Sequence, residues 1–257
     1  MRRAESGALR FGPELAGLAV LIVFLAIVEL MVRSALINPF LVPQPSAVIM
    51  AFGRIITQEN VLHRFFITGS EAGIAALLVA CIGVPLGALL CSAHLLRRAI
   101  GSWIAALAAA PIVLAYPLFL VMFGRSASTI IVIGVLSGLP PVILMTTDGL
   151  QSVRPALINV GKSLRLGSWA LFWKIMFPAA LPGIFSGLRI GLIFALINVV
   201  GVEFLINFGG LGPLINELAE RYDLPGTYAA IGFVILVSII VFVILESLEK
   251  WLSPGNR

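Results

Sequence analysis

Long runs of apolar residues, separated by short polar connections, are the feature that most restricts how this chain can fold. A helix needs about 20 apolar residues to cross the hydrocarbon core of a bilayer. Of the 257 residues, 60% are hydrophobic and 11% are charged, whereas about 25% charged residues is usual in a soluble domain. The sequence therefore predicts an all-α polytopic membrane protein with six spans. The predicted spans are Leu15–Val32, Ile67–Ser92, Trp103–Phe123, Ile130–Thr147, Leu188–Ile206 and Tyr228–Leu248.

The distribution of lysine and arginine predicts the orientation of these spans. With both termini in the cytoplasm, the inside connections hold 12 of the 17 basic residues, as the positive-inside rule requires. These residues are Arg2, Arg3, Arg10, Arg97, Arg98, Arg154, Lys162, Arg165, Lys174, Arg189, Lys250 and Arg257. No small-residue cleavage site follows the basic N-terminus, so the first apolar run is predicted to be a retained span.

Sequence motifs for nucleotide, metal or catalytic chemistry are not found in this chain. It has no phosphate-binding loop of the form GxxxxGK[ST], so we do not expect it to bind ATP itself. His63 and His94 are isolated, and no His, Cys and carboxylate cluster has the spacing of a metal site. We therefore expect a single transmembrane domain over residues 1–257, without a metal, a cofactor or an enzymatic centre of its own.

The largest predicted cytoplasmic connection, Asp148–Gly187, is polar and aromatic where the rest of the chain is apolar. Connections of this length are usually functional or disordered. The expected order is a short helix over Pro155–Leu164, a break near Gly167, and a second helical piece over Trp169–Phe177. Pro178 and Pro182 are expected to end that second piece and turn the chain back toward the fifth span.

Two interpretations of this connection fit its pattern. In the first, the basic and aromatic helices lie at the lipid headgroups. In the second, they dock into a groove on a cytoplasmic partner. The pattern alone favours the first, because basic amphipathic segments are common at membranes, and leaves the second open.

A resemblance to a known family bears on this choice. The stretch LFWKIMFPAALPGIFSGLRIGL, Leu171–Leu192, is similar to the cytoplasmic signature of permease subunits of bacterial ABC importers, often called the EAA loop. In an ungapped alignment the Glu-Ala-Ala triplet of the family falls on Asn159, Val160 and Gly161, so the triplet itself is lost. The family glycine falls on Arg165, where it is either replaced or displaced to Gly167.

Four further stretches resemble one branch of that family, the nitrate/sulfonate/taurine-type permeases. They are LVPQPSAVI (Leu41–Ile49), GVPLG (Gly83–Gly87), PIVLAYPLFLVMFG (Pro111–Gly124) and VEFLINFGGLGPLI (Val202–Ile215). Because these motifs occur in the family's order, the chain is identified as a member by resemblance.

The resemblance implies a type I importer permease fold in the bacterial inner membrane, surrounded by lipid. It implies a homodimer, two cytoplasmic ABC ATPase subunits that use ATP and Mg, an extracytoplasmic substrate-binding protein, and no nucleic acid. The residues it assigns to ATPase coupling are Asn159, Val160, Gly161, Lys162, Ser163, Leu164, Arg165, Leu171 and Phe172. For Arg165, contact with an ATPase carboxylate and contact with a lipid headgroup are both open.

Polar groups inside spans are costly and are candidates for function. Asn198, Glu203 and Glu71 are the candidate pathway residues, and Glu71 stands where family members often have arginine. Glu203 has an alternative role as a hydrogen-bond partner of the turn that contains Gly209 and Gly212. Asn198 has an alternative role in a helix–helix or dimer contact.

The solute stays open at this point. The branch implies nitrate, a sulfonate or taurine, while an aromatic acid or a pyrimidine precursor is an alternative. A secondary transporter or a membrane scaffold would need no ATPase, but the acidic residues lie near span ends rather than at the midplane, where secondary transporters place coupling sites.

Overall fold

The computed structural model describes residues 12–252, and every regular element in that range is helical. Arg2, Arg3, Arg10 and Arg257, on which the orientation prediction partly rests, lie outside the described residues. The helices are α1 (Gly12–Arg33), α2 (Pro45–Gln58), α3 (Val61–Ser92), α4 (His94–Ala109), a 3-10 turn (Ile112–Ala115), α5 (Tyr116–Phe123), α6 (Ala127–Gln151), α7 (Pro155–Ser163), α8 (Ser168–Leu171), a π-helical turn (Phe172–Met176), α9 (Phe177–Ile206), α10 (Leu211–Glu220) and α11 (Leu224–Leu252).

Five of the six predicted spans correspond to continuous helices. Within the described residues, α1, α3, α6, α9 with its preceding turns, and α11 are each long and apolar enough to cross a bilayer. The all-α prediction is confirmed. The sixth crossing exists only if a bent pair of helices is taken together.

The predicted third span, Trp103–Phe123, is broken. Helix α4 ends at Ala109, and the chain resumes as Ile112–Phe123 at an angle of 90°. Pro111 lacks an N–H and forces the preceding Ala110 into an extended conformation, with φ −76° and ψ 135°. Pro140 and Pro141 do not break α6, because neighbouring helices can satisfy the freed backbone groups in a membrane protein.

The described helices group into two compact units, the first of which comprises residues 12–61 and 214–233. In this unit Glu29 of α1 accepts hydrogen bonds from the backbone N–H and the hydroxyl of Ser46, at 3.1 and 2.8 Å. Its ion pair with Arg33, at 2.7 Å, is the one expected from a spacing of four residues. Ser46 lies at the start of α2, so Glu29 satisfies a backbone N–H group that no helical carbonyl can reach.

The second unit comprises residues 62–213 and 234–252, and helices α6 and α9 form its centre. Glycines bring the two backbones together along most of their lengths. A Cβ added to Gly138 would lie 2.7 Å from the Gly191 carbonyl oxygen, and one added to Gly149 would lie 3.3 Å from Gly183 Cα. Small residues of this kind permit close helix packing where no hydrophobic driving force exists between spans.

Candidate coupling segment and buried acidic pair

The connection between α6 and α9 contains the predicted short helix. Helix α7 runs over Pro155–Ser163, as the sequence predicts within a residue. Pro155 occupies its first turn, where its missing N–H costs nothing. Arg165 ends the helix in the left-handed conformation, with φ 54°, and the Leu166 N–H closes the turn on the Gly161 carbonyl at 3.1 Å.

The conformation of Arg165 explains where the family glycine belongs. A residue that ends a helix in the left-handed conformation is usually glycine, since any other residue carries a steric cost. Gly167 has φ −64°, an ordinary value that needs no glycine. The position that favours glycine is therefore that of Arg165 and not that of Gly167.

The predicted coupling residues divide into an inner and an outer set. Gly161 is buried, and a Cβ added to it would lie 2.4 Å from Leu171 Cδ1 and 2.6 Å from Ile175 Cδ1. Phe172 packs against the buried cluster that includes Leu150. These contacts fix α7 against the segment that follows it. The outer set is Asn159, Val160, Lys162, Ser163, Leu164 and Arg165, all exposed.

An apolar stripe lies on the outside of α7. Leu157, Val160 and Leu164 are 43%, 56% and 67% exposed, and their spacing places them on one side of the helix. We call these three side chains the exposed α7 face. Contiguous exposed apolar side chains outside a membrane span usually mark a contact with another molecule.

The chain from Ser168 to Ile206 is a continuous helical stretch of 39 residues. At 1.5 Å per residue its length is about 58 Å, whereas the hydrocarbon core is about 30 Å thick and the whole bilayer about 40–45 Å. One end of this stretch therefore extends beyond the bilayer. Helix α7 is attached at the Ser168 end of this stretch.

The structure differs from the prediction that Pro178 and Pro182 turn the chain. Pro178 lies in the first turn of α9 and Pro182 lies inside it, with no break. The preceding π-helical turn, Phe172–Met176, contains one extra residue and bonds the Phe177 N–H to the Phe172 carbonyl. This wider turn relieves the clash between the Pro178 ring and the carbonyl of Lys174, four residues earlier.

Glu203 and Glu71 form a buried acidic pair at the other end of α9. Glu203 is 0% exposed and Glu71 is 4% exposed. Glu203 Oε2 accepts hydrogen bonds from the Thr68 hydroxyl at 3.0 Å and from the Gly212 N–H at 2.9 Å. The alternative in which Glu203 supports the Gly209–Gly212 turn is therefore present in the structure, and both carboxyl groups are covered.

The turn beside this pair requires glycines. Gly209 has φ +99°, a conformation open to glycine and unfavourable for other residues. A Cβ added to Gly212 would lie 2.3 Å from the Phe204 backbone nitrogen. Arg125 closes the C-terminus of α9 by donating to the carbonyls of Ile206 and Asn207 at 2.9 and 2.6 Å.

Asn198 lies on α9 near the broken third span. Its side-chain amide donates to the Phe194 carbonyl at 2.9 Å, so part of its hydrogen-bonding capacity is used within its own helix. Gly201, three residues later on the same side, faces Val113 of the 3-10 turn, with an added Cβ 3.8 Å from Val113 Cγ2. Gly201 therefore places this part of α9 against the 3-10 turn that follows Pro111.

The sequence did not predict the partners of Arg189. Arg189 Nη1 on α9 lies 3.0 Å from Glu249 Oε2 on α11, and the Ser186 hydroxyl donates to Glu249 Oε1 at 2.7 Å. The guanidinium also lies 5.7 Å from the centre of the Phe242 ring. Opposite charges in two apolar helices were the available signal, but nothing in the sequence shows that these helices are neighbours.

Replacing Arg189 with alanine is expected to lower the free energy of unfolding by about 1–3 kcal/mol, because the half-buried Glu249 loses a charged partner. The readout is the thermal midpoint of the purified protein in detergent. Arg33→Ala is the matched control. It removes another Arg–Glu pair whose arginine is 61% exposed, and such pairs are worth about 0.2–1 kcal/mol. Equal midpoints for the two variants would show that the Arg189 cluster has no structural role.

Comparison with known proteins identifies the family. Residues 81–255 match the family described as "Binding-protein-dependent transport system inner membrane component". The chain is 27% identical to the formylaminopyrimidine transport permease protein ThiX of Halalkalibacterium halodurans over 86% of this chain and 88% of that protein. It is 26% identical to the nitrate import permease protein NrtB of a Synechocystis species, over 78% of this chain and 73% of that protein.

The fold is also that of a solved transporter subunit. A chain of the inward-facing MetNI methionine ABC transporter superposes with a TM-score of 0.65 and 17% identity, covering 75% of this chain and 95% of that one. The sequence match spans more than half of the present chain. The protein therefore belongs to the family of inner membrane components of binding-protein-dependent transport systems, the permease subunits of ATP-driven importers.

Proposed function

We propose that two copies of this permease form one translocation pathway, driven by two cytoplasmic ABC ATPase subunits. The chain itself is non-catalytic, and ATP and Mg belong to the partner subunits. The observation that carries this proposal is the exposed α7 face, which lies at the end of a helical stretch too long to be contained in the bilayer.

The geometry favours docking over an interfacial role for α7. Trp169 and Trp173 are 76% and 45% exposed and would suit lipid headgroups. They lie, however, 33 or more residues before the end of the stretch at Ile206, which is about 50 Å along a helix. That distance exceeds the bilayer thickness of about 40–45 Å. A protein partner therefore accounts better than lipid headgroups for the exposed α7 face and the two tryptophans beside it.

The inner contacts of α7 supply a route for coupling. Gly161 packs on Leu171 and Ile175, and Phe172 packs on the cluster around Leu150 of α6. A displacement of α7 by a closing ATPase dimer therefore moves the ends of α6 and α9 together. In this proposal the nucleotide biases two arrangements of the spans, open to one side or to the other.

The pathway is proposed to pass the broken third span and Asn198. The break at Pro111 interrupts the helical hydrogen bonding of the chain, which is tolerated in a membrane only where backbone is buried or lines a cavity. Glu71 and Glu203 are covered within one chain, so their assignment to the pathway stays a prediction.

We propose a small solute of the nitrate, sulfonate or taurine class, delivered by an extracytoplasmic binding protein. A pyrimidine precursor is the second candidate, and the match to ThiX over 86% of this chain favours it. Uptake of labelled nitrate, taurine and a formylaminopyrimidine by cells expressing the complete transporter separates these classes. We propose that both termini are cytoplasmic. Cysteines introduced at the termini and labelled from either side of the membrane would test this orientation.

The test of the proposed function is co-purification. We expect the chain, co-expressed with its neighbouring genes and extracted in detergent, to purify as two permeases with two ATPase subunits that hydrolyse ATP. A chain that purifies without any nucleotide-binding partner would contradict the proposal. It would favour the secondary-transporter or scaffold alternatives.

A further inference from the structure

The buried acidic pair leaves two oxygen atoms without a hydrogen-bond donor. Glu71 Oε2 and Glu203 Oε1 are fully covered and make no hydrogen bond to a donor. Both lie beside Gly209, at 3.4 and 3.5 Å from the position that a Cβ on this glycine would take. The two side chains are within hydrogen-bonding reach of each other. Two ionised carboxylates in this position would repel each other with no compensating charge in contact.

Burial and the Glu203 carboxyl group are the influences that act on the Glu71 carboxyl group. Arg125, which precedes α6, donates instead to the carbonyls of Ile206 and Asn207. The charged group in contact with Glu71 is thus Glu203 itself.

The surroundings distinguish the two carboxyl groups. Glu203 Oε2 accepts from the Thr68 hydroxyl and from the Gly212 N–H, and Gly212 lies in the first turn of α10, where backbone N–H groups favour a negative charge. These donors stabilise a negative charge on the Glu203 carboxyl group. Glu71 Oε2, with no donor of its own, is placed to carry a proton and to donate it to Glu203 Oε1.

We propose that Glu71 and Glu203 bind one proton between them, so that the pair carries a single negative charge and holds the Gly209–Gly212 turn on α3. The bound species is a hydrogen ion taken from water, and no other bond is made or broken. When the proton leaves, repulsion between the carboxylates opposes the contact between α3 and this turn. The connection from α9 to α10 then becomes sensitive to pH. This inference concerns the folded chain and does not depend on the identity of the ATPase or the solute.

The direct test is infrared spectroscopy of the full chain in detergent or lipid nanodiscs at neutral pH. A protonated carboxyl group gives a C=O stretching band that an ionised one lacks, and the band shifts in heavy water. We expect one such band in the unmodified protein and its loss in Glu71→Gln. Glutamine can donate an amide N–H to Glu203, but it has no carboxyl group to carry the shared proton. Glu220→Gln, at an exposed position on α10, is the control and should keep the band.

Thermal unfolding supplies the second readout. A proton held in the folded state and released on unfolding stabilises the protein at low pH, and that stability is lost as pH rises. Between about pH 6 and about pH 9, a range chosen to keep ordinary carboxyl groups ionised, we expect the midpoint of the unmodified protein to fall more than that of Glu71→Gln.

Three results would overturn the proposal. One is the absence of a protonated-carboxyl band from the unmodified protein. Another is the same band in Glu71→Gln. The third is a midpoint that rises with sodium or potassium at constant ionic strength and loses this response in Glu71→Gln, which would assign the pair to a metal cation. If Glu71→Gln is not recovered folded, the pH titration of the band in the unmodified protein decides.

Discussion

Replacing Gly191 with leucine is expected to prevent the chain from reaching its folded state. A Cβ at this position would lie 2.6 Å from the Gly138 carbonyl oxygen and 2.4 Å from Val142 Cγ2. The first of these atoms belongs to the backbone of α6, so it cannot move aside unless the helix moves. A leucine adds three further carbon atoms to the same contact, and no rotamer avoids the crowding at Cβ.

The expected cost exceeds about 4 kcal/mol, which is rare for a single substitution and is reached by overpacking of a tight core. The measurement is the yield of monodisperse protein in detergent and its thermal midpoint. Gly73→Leu is the matched control on α3, because a Cβ added to Gly73 meets no atom within 4 Å. Recovery of Gly191→Leu with the midpoint of Gly73→Leu would show that α6 and α9 do not pack as closely as described.

The same close packing means that a displacement of α7 is transmitted to α6 and α9 together. Gly149 and Gly183 meet near α7, and Gly138 and Gly191 meet farther along the two helices. Because packed helices with backbone contact cannot slide by small amounts without clashes, they move as one body. A displacement that begins at α7 is therefore carried along both spans.

The features that the sequence predicts well are those that depend on local pattern. Five spans follow from apolar length alone, since each run exceeds what the bilayer core requires. Helix α7 follows from Pro155 at its start and from the break before Gly167.

The features that the sequence does not predict depend on contacts between distant segments. Pro111 breaks its span whereas Pro178 does not, although both are prolines in apolar runs. The difference lies in the π-helical turn before α9, whose extra residue has no signature in the pattern. Glu71 and Glu203 are 132 positions apart (203 − 71), and only the packing of α3 against the Gly209–Gly212 turn brings them together.

The inner position of Leu171 and Phe172 also depends on packing. Both are apolar residues of the predicted coupling segment, but Leu171 contacts Gly161 and Phe172 packs on the Leu150 cluster. Aspartate at these two positions would disturb the fold as well as any docking. The outward side chains of α7 therefore give a cleaner test of coupling.

The double variant Val160→Asp, Leu164→Asp is expected to abolish coupling between ATP hydrolysis and transport. The two side chains are 56% and 67% exposed, so the substitutions leave the fold of the chain intact. In the proposed complex they enter an apolar cleft of the ATPase, where a buried carboxylate without a partner is strongly unfavourable. An anchoring side chain at the centre of an interface contributes about 2 kcal/mol or more, so losing two weakens docking by roughly 1,000-fold if the effects add.

The measurement uses the complete transporter in lipid vesicles, with solute uptake and ATP hydrolysis followed in parallel and the thermal midpoint of the permease as a check on folding. Gln151→Asp is the matched control, since it adds a carboxylate at an exposed position at the end of α6, outside the exposed α7 face. We expect this control to transport normally, and the double variant to fold normally but to lose the ATPase from the purified complex. If the double variant retains both the ATPase and uptake, α7 does not dock through this face. The aromatic surface of Trp169 and Trp173 would then be the remaining candidate for the contact.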